Sequence, residues 1–406
     1  MSLVGIIKNR VQSALSFSKH PFNLLCMIAW GYILLGYWRG INNKLPLLKE
    51  FTDELEWLIV LIPFFLSIKQ LRYKLKVGDM LLWIGCFVFY LFNFIIFPSN
   101  QDALEQHLFQ FAFVALPYFL YGIVLDINKF LKPLFYISLA SITITLYYQL
   151  MYLQGGSRSS DIDTTHYNMF LSYNMLQHVL LVSWITLKEM KLWQLPFMIL
   201  GILLLLSLGT RGPLLCLIVF ITTYVLFFQQ MKYKNTIRFM VITLAFVAIT
   251  YLEQIALFFQ ALMIQYGMST RIFDKYLNGE IEVSDARDYI KDTLYHELNC
   301  DTNGLGFGLC GSYKYVGTYP HNMFLEFWFS FGWVIGSLLL LLLFSLMIKS
   351  SIACRHNRNQ LVFLLLLVCG SIIKLQMSGT FLDDALFFML IGFCINTLRN
   401  KKRLTI

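Results

Sequence analysis

Among the arginines outside the long apolar segments of this chain, two have side chains that could bind a phosphate group. Arg211 lies in Leu208–Pro213, a short connection between two apolar segments. Its planar guanidinium suits phosphate oxygens, although an isolated arginine here could simply extend to lipid headgroups at a membrane surface. Arg287 lies between Asp285 and Asp288, so it could bind an anion or form a solvated ion pair with these neighbours.

His321 has a side chain that could move a proton. It follows Tyr319-Pro320 at the point where a polar segment meets an apolar one. An imidazole can act as a general base near neutral pH, but a histidine at such a boundary can also be only a hydrogen-bonding anchor. Asn322 could bind a substrate or cap the helix that begins after it, and Glu326 falls in the first turn of that helix.

The elements that would position these residues are membrane helices. Hydrophobic residues make up 58% of the chain and charged residues only 14%, which is typical of an integral membrane protein. A spanning helix needs about 20 mainly apolar residues, and about 12 such segments predict an all-α, polytopic membrane protein with one domain over residues 1–406. The segments are approximately 22–38, 51–68, 78–97, 104–125, 131–153, 169–187, 192–208, 213–228, 239–259, 323–348, 361–377 and 381–398.

The positions of the basic residues predict the orientation of these helices. The formal net charge is +9, but most of the 32 Lys and Arg residues fall in alternate connections. The positive-inside rule therefore explains the charge without a nucleic acid partner and places both termini in the cytoplasm. The polar residues 260–320, between the ninth and tenth segments, then form one large periplasmic loop with a short amphipathic helix over Ser284–Leu298. Cys300 and Cys310 in this loop could form a disulfide or stay as free thiols.

Four further polar residues fall within the predicted apolar segments. We expect Lys374 to extend outward to the headgroups, Asp383 and Asp384 to cap the last helix, and His178 to be a hydrogen-bonded core residue. The sequence has no Walker A, dinucleotide-binding, H-E-x-x-H or G-x-S-x-G motif, so we expect no cofactor and no metal ion. An enzyme on the outer face must work without nucleotide sugars, which favours an activated substrate carried by a lipid.

Four short motifs, in this order along the chain, resemble the bacterial O-antigen polymerase and O-antigen ligase family, of the Wzy and WaaL type. The resemblance covers most of the chain from about residue 200 onward, whereas the first 200 residues are similar only in hydropathy. The motifs are Ser207–Pro213; Ala286-Arg287 with Gly304–Gly308; Tyr319–Glu326 with Phe331-Gly332 and Gly336; and Met377–Thr380.

The resemblance implies a glycosyltransferase of the GT-C type in the bacterial inner membrane, with its active site facing the periplasm and no need for a metal. The donor would be a glycan on undecaprenyl diphosphate. Transfer to a hydroxyl of another lipid-linked repeat unit would make the protein a polymerase, to which the motifs are closer. Transfer to the core sugars of lipid A would make it a ligase. A membrane partner that regulates chain length is also implied.

The same resemblance implies roles for the candidate residues. Arg211 and Arg287 would bind the diphosphate and neutralise it as it leaves. His321 would position or deprotonate the attacking hydroxyl, or would instead contact the diphosphate. Asn322 and Glu326 would contribute to substrate binding.

A lipid-glycan transporter or flippase is the remaining alternative, because such proteins also have about 12 helices and no catalytic domain. Transporters often contain repeats, broken helices and polar residues near the middle of the membrane. The two halves of this sequence look dissimilar, and Arg211, Arg287 and His321 fall at or outside the outer surface. Glycan transfer is therefore favoured over transport.

Overall fold

The computed structural model describes most of the chain from residue 74 onward. The first two predicted apolar segments, 22–38 and 51–68, lie almost wholly outside the described residues, as do residues 240–241 and 244–249 of the segment 239–259. Apart from isolated positions between 67 and 72 and between 235 and 243, the described ranges are 74–154, 169–208, 210–228, 250–265, 270–278, 285–301 and 303–404.

Every regular element within these ranges is helical, so the predicted all-α class is confirmed for this part of the chain. Two π-helical turns, Gln110–Ala115 and Cys369–Ile373, follow α2 and α13. The helices, in chain order, are α1 (Val77–Ile96), α2 (Gln101–Phe109), α3 (Leu116–Val124), α4 (Ile127–Gln154), α5 (Met169–Glu189), α6 (Leu195–Ser207), α7 (Arg211–Phe227), α8 (Leu252–Gln265), α9 (Arg271–Leu277), α10 (Asp285–Cys300), α11 (Ser312–Val316), α12 (Met323–Cys354), α13 (Arg358–Val368) and α14 (Ala385–Leu404).

Within the described residues, four helical segments are long and apolar enough to cross a membrane by length and composition. α1 leaves large apolar side chains exposed, among them Leu81, Val88 and Phe92. Such a surface is unfavourable in water and favourable against lipid tails. The molecule is therefore a helical protein compatible with membrane insertion. The four segments are Val77–Ile96, Pro98–Val124, Ile127–Tyr147 and Met323–Cys354.

Two glycines allow α3 and α14 to cross at close range in the centre of the bundle. A Cβ atom at Gly122 would lie 2.3 Å from the carbonyl oxygen of Met389. A Cβ atom at Gly392 would lie 2.1 Å from the carbonyl oxygen of Phe119. Small residues at a crossing let two helix backbones approach and pack without a hydrophobic driving force from water. This crossing sets the position of α14, whose first turn carries part of the site described below.

A buried ion pair joins the first and last described helices. Arg399 on α14 donates hydrogen bonds to both carboxylate oxygens of Asp79 on α1, one of them at 2.7 Å. Asp79 is fully buried, and its carboxylate also accepts a bond from the backbone N–H of Lys76 at 2.8 Å. A buried carboxylate is tolerated only when its charge is paired and its oxygens are hydrogen-bonded, and both conditions are met here.

Gly332 interrupts α12 and provides a docking place for the glycine-rich segment 304–308. Its φ of 75° and ψ of 167° are not helical, and a Cβ atom there would lie 2.0 Å from the carbonyl oxygen of Gly304. The break frees the carbonyl oxygen of Phe329, which accepts a bond from the N–H of Phe307 at 2.8 Å. The glycine-rich segment 304–308 and Gly332, which are separate motifs in the sequence, therefore contact each other through their backbones.

The predicted amphipathic helix over Ser284–Leu298 is confirmed as α10. Leu294 and Leu298 are buried and pack against Leu325 of α12. The four-residue spacing of the two leucines places them on the same face of the helix, since a helix turns once in 3.6 residues. α10 is thereby held against the beginning of α12, next to His321.

The two cysteines of this region are free thiols. Cys300 is exposed at the end of α10, whereas Cys310 is buried beside α11. Burial raises the pKa of the Cys310 thiol. Of the two alternatives predicted for this pair, the structure has the one without a disulfide, and Cys310 packs as a small apolar residue.

Candidate functional site

A cavity of about 530 Å³ lies between α2, α5, α11 and the turn that precedes α14. Such a volume is within the range of small-molecule binding sites. Four amide side chains line it, and an amide can donate and accept hydrogen bonds at the same time. Tyrosine rings from three helices and from the segment before His321 complete much of the wall. The amides are Gln106, Gln110, Asn174 and Gln177, and the rings are Tyr118, Tyr173, Tyr313 and Tyr319.

His107 of α2 connects two other cavity residues. Its Nδ1 lies 2.7 Å from a carboxylate oxygen of Asp383, and its Nε2 lies 2.8 Å from the hydroxyl of Tyr313. The side chain of His107 is 12% exposed, so both contacts are largely shielded from solvent. Sequence reasoning missed His107. The available signal was the polar composition of Gln101–Gln110 at the start of an otherwise apolar segment.

Lys374 and Asp384 form an ion pair in the wall of the same cavity. Their charged atoms are 2.6 Å apart, and the ammonium group also lies 5.6 Å from the centre of the Tyr173 ring. The prediction that Lys374 extends outward to the headgroups was therefore wrong. Asp384 is almost fully buried, and a buried carboxylate is strongly stabilised by a cation at contact distance. The pairing keeps Lys374 in the cavity.

The predicted caps of the last helix are confirmed for only one of the two aspartates. Asp384 accepts a hydrogen bond from the backbone N–H of Phe387 at 2.8 Å, which caps the first turn of α14. Asp383 bonds to His107 instead. His178 is fully buried, and its Nδ1 lies 3.0 Å from the hydroxyl of Ser138, as expected for a core residue.

Glu326 lies behind the cavity wall. Its carboxylate accepts hydrogen bonds from the hydroxyl of Thr380 and from the backbone N–H of Phe381, the latter at 3.3 Å. Thr380 lines the 530 Å³ cavity, whereas Glu326 lines a pocket of about 10 Å³ next to it. A void of that size holds about one water molecule. Glu326 therefore fixes the turn that closes the cavity.

Asn322 caps α12. Its side-chain oxygen accepts a hydrogen bond from the N–H of Leu325 at 3.1 Å, and its backbone oxygen accepts one from the N–H of Glu326 at 2.9 Å. The capping alternative given for Asn322 is thereby confirmed. The cap fixes the point at which the chain leaves His321 and begins the helix.

His321 lies next to the cavity and behind the ring of Tyr319. The two ring centres are 4.3 Å apart, and only Tyr319 lines the cavity. The Nδ1 atom of His321 is buried and has no hydrogen-bond partner among the residues that the structure describes. Burial, and then the positive charge of Arg287, lower the pKa of His321 to about 4. The imidazole is therefore neutral at pH 7.

Arg287 is exposed on α10, close enough to His321 for its charge to lower the pKa of that residue. Its acidic neighbour Asp288 pairs with Lys291 at 3.6 Å instead. Among the side chains that the structure describes, no carboxylate forms an ion pair with Arg287. Its guanidinium is exposed, and the side chain of its other acidic neighbour, Asp285, lies outside the described residues.

Arg211 is exposed at the first position of α7. The residues on either side of it are held against α5: Thr210 shares a hydrogen bond with Ser172, and a Cβ atom at Gly212 would lie 1.9 Å from the hydroxyl oxygen of Tyr173. Tyr173 lines the cavity. The connection that carries Arg211 is therefore anchored to a ring of the cavity wall. Arg211 forms no ion pair with a carboxylate in the part of the chain that the structure describes.

Two of the four sequence motifs line this cavity, and a third contacts its wall. Tyr319–Glu326 contributes Tyr319, and Met377–Thr380 contributes Ser378, Gly379 and Thr380. From Ser207–Pro213, Gly212 lies against the ring of Tyr173 in the cavity wall. Within the described ranges, no group of three or more His, Cys, Asp or Glu residues could hold a metal ion. Comparisons of the chain with protein-family models, with curated proteins and with solved structures found no match.

Proposed function

We propose that this protein is a glycosyltransferase that polymerises a bacterial surface polysaccharide. It takes a glycan from undecaprenyl diphosphate and transfers it to a hydroxyl of another lipid-linked repeat unit. The observation that carries the proposal is that Tyr319–Glu326 and Met377–Thr380 line one cavity and Gly212 of Ser207–Pro213 lies against its wall. Its amides and tyrosines suit a glycan, because sugar hydroxyls also donate and accept hydrogen bonds.

The proposed arrangement in the membrane is the one that the sequence predicts. About 12 helices of the GT-C type cross the inner membrane, both termini are cytoplasmic, and residues 260–320 form a periplasmic loop. The long apolar helices within the described residues support insertion in a membrane. The site residues Arg287 and His321 lie in or beside the proposed periplasmic loop, so the cavity opens on the periplasmic side in this arrangement.

Arg211 and Arg287 bind the diphosphate of the donor in this proposal. Both are exposed, and neither has a carboxylate partner in the described part of the chain, so their charges are free to pair with phosphate. Negative charge on the diphosphate grows as its bond to the sugar breaks. Positive groups placed there therefore stabilise the transition state more than the bound donor, which is the requirement for catalysis.

His321 completes the donor side of the proposed site. Its neutral imidazole can hydrogen-bond to the diphosphate or accept the proton of the attacking hydroxyl. A diphosphate bound at Arg287 would offset the charge that lowers the pKa of His321, so donor binding makes His321 a stronger base.

The polymerase is distinguished from a ligase by its acceptor, because both use the same donor. The test is a gel of surface polysaccharide from a strain deleted for this gene and complemented with wild type, Arg211→Ala or Arg358→Ala. Arg358 is the matched control, since it is also exposed but lies at the start of α13, on the predicted cytoplasmic side. We expect wild type and Arg358→Ala to restore a ladder, and Arg211→Ala to leave single repeat units on the lipid A core.

Two other results would contradict the proposal. Loss of all glycan from lipid A, with polymer accumulating on undecaprenyl diphosphate, would identify a ligase. An accumulation of lipid-linked repeat units on the cytoplasmic face would instead identify a transporter.

A further inference from the structure

Asp383, His107 and Tyr313 form a hydrogen-bonded chain in the cavity wall. The two contacts of His107 are 2.7 Å and 2.8 Å long. The three residues come from the turn before α14, from α2 and from α11, and His107 is 276 positions from Asp383 and 206 from Tyr313. All three line the 530 Å³ cavity. Folding therefore brings three proton-exchanging side chains from distant parts of the chain to one face of the proposed glycan site.

The order of the three groups fixes which atom donates and which accepts in each of the two hydrogen bonds. An ionised carboxylate can only accept hydrogen bonds, so the Nδ1 atom of His107 carries the proton that bonds to Asp383. Nε2 then has a free lone pair and accepts the hydroxyl proton of Tyr313. Asp383 thus orients the ring and would stabilise a positive imidazolium, as carboxylates do in the catalytic triads of hydrolases.

Tyr313 is suited to pass a proton on and unsuited to hold a negative charge. Burial raises the pKa of its phenol, and the negative charges of nearby groups, Asp383 among them, raise it further. The phenol therefore releases its own proton only when another proton reaches its oxygen. Its ring stands edge-on to that of His107, with centres 5.5 Å apart, which holds the hydroxyl at Nε2.

We propose that Tyr313, His107 and Asp383 are a relay that removes the proton from the acceptor hydroxyl, a role that rests on the proposed function. The hydroxyl gives its proton to the Tyr313 oxygen, while Tyr313 gives its own to Nε2 of His107. The freed electron pair of the acceptor oxygen forms the new bond to the anomeric carbon of the donor. The bond from that carbon to the diphosphate breaks, and its electron pair leaves with the lipid diphosphate. The imidazolium afterwards gives its proton to water.

This assignment separates the two histidines by function. His321 lies behind the Tyr319 ring and next to Arg287, which is the side proposed for the diphosphate. His107 faces the cavity among the amides and tyrosines, which is the side proposed for the acceptor sugar. Contact with the diphosphate is therefore the role left for His321.

Other titratable groups also face the relay. Lys374 and Asp384 lie in the same cavity wall and pair with each other at 2.6 Å. Glu326 is bonded to Thr380, and Cys310 and Tyr319 lie near Tyr313. Because Lys374 is neutralised by its own partner, Asp383 is the charge in direct contact with His107.

The test is transfer by purified protein, with lipid-linked repeat units extracted from the deletion strain as both donor and acceptor. Tyr313→Phe keeps the ring and removes the hydroxyl, and we expect kcat to fall by about 100-fold or more while KM stays close to that of wild type. Tyr315→Phe is the matched control. Tyr315 is on the same short helix but packs its ring on Phe307 and Phe329, so kcat should be unchanged.

A second variant gives a readout that a structural role would not change. The kcat of wild type should fall toward acid pH, because a protonated imidazole accepts no further proton, and His107→Ala should lose this dependence along with most of its activity. Added imidazole should raise the kcat of His107→Ala and leave that of Tyr313→Phe low. Wild-type kcat in Tyr313→Phe, or His107→Ala activity with an unchanged pH profile, would overturn the relay alone. A wild-type protein that transfers no glycan would overturn both proposals.

Discussion

Thr380 donates a hydrogen bond to Glu326, and both side chains are buried. The bond ties the turn before α14 to the first turn of α12 across 54 positions of the sequence. Thr380 faces the large cavity, and Asp383 and Asp384 follow it by only a few residues. The geometry of the proposed acceptor side thus depends on a carboxylate that does not itself line that cavity.

Removing this carboxylate should destabilise the protein. Glu326→Ala leaves the Thr380 hydroxyl and the Phe381 N–H buried without their acceptor, and an unsatisfied buried group costs about 1 to 3 kcal/mol. Thermal unfolding in detergent would measure the loss. Asp292→Ala on the exposed face of α10 is the control and should leave the unfolding temperature unchanged. A drop of equal size in both variants would contradict this role for Glu326.

The ion pair between α1 and α14 should contribute far more than a surface pair. Asp79→Ala leaves Arg399 partly buried without its partner. We expect a loss of about 2 to 4 kcal/mol, somewhat less than the roughly 3 to 5 kcal/mol of fully buried pairs, because the arginine side chain is 29% exposed. Lys129→Ala breaks an exposed pair with Asp126, and should cost less than about 1 kcal/mol. Chemical denaturation of the two variants would compare these values, and similar losses would contradict the expectation.

The glycine crossing of α3 and α14 can be tested by adding one methyl group. Gly122→Ala would place a Cβ atom against the backbone of α14, and the overpacking should cost about 1 to 3 kcal/mol. Gly85→Ala on α1 meets no atom within 4 Å and should be neutral or slightly stabilising, because alanine is the better helix former. The unfolding temperatures of the two variants provide the measurement, and a Gly122→Ala protein as stable as Gly85→Ala would rule out a tight crossing.

Arg287 should control the titration of His321. Burial lowers the pKa of His321 most, and the charge of Arg287 lowers it further, to about 4. Arg287→Ala should therefore raise that pKa part of the way toward 6.5. Lys291→Ala removes a cation from the same helix that is already paired with Asp288, so it should have little effect. Nuclear magnetic resonance of labelled histidine would follow both titrations. An unchanged His321 pKa in Arg287→Ala would show that the two residues are not coupled.

The same pKa makes stability depend on pH in a defined direction. Between pH 6.5 and about 4 the unfolded chain binds a proton at His321 and the folded chain does not. The contribution of neutral His321 to folding is therefore complete above pH 6.5 and is lost as the pH falls to about 4. His321→Gln should unfold with a shallower pH dependence over this interval.

The positions of the helices were predictable because they depend on local composition. Segment 78–97 is found as Val77–Ile96, and segment 323–348 begins at Met323 as predicted but continues to Cys354. A backbone in lipid has no water to bond with, so an apolar run of about 20 residues must satisfy its own hydrogen bonds as a helix. The cap at Asn322 and the buried face of α10 follow from equally local patterns.

The partners of the polar side chains were not predictable in this way. The sequence predicted that Lys374 extends to the headgroups, but Lys374 pairs with Asp384. The sequence analysis did not identify His107, which bonds to both Asp383 and Tyr313. A local pattern records whether a polar residue interrupts an apolar run, but not which distant residue will meet it. The sequence alone therefore determined which segments are helical, through the cost of unpaired backbone groups. The tertiary structure decided which charges are paired and which groups face the cavity, because that depends on how closely helices such as α3 and α14 pack.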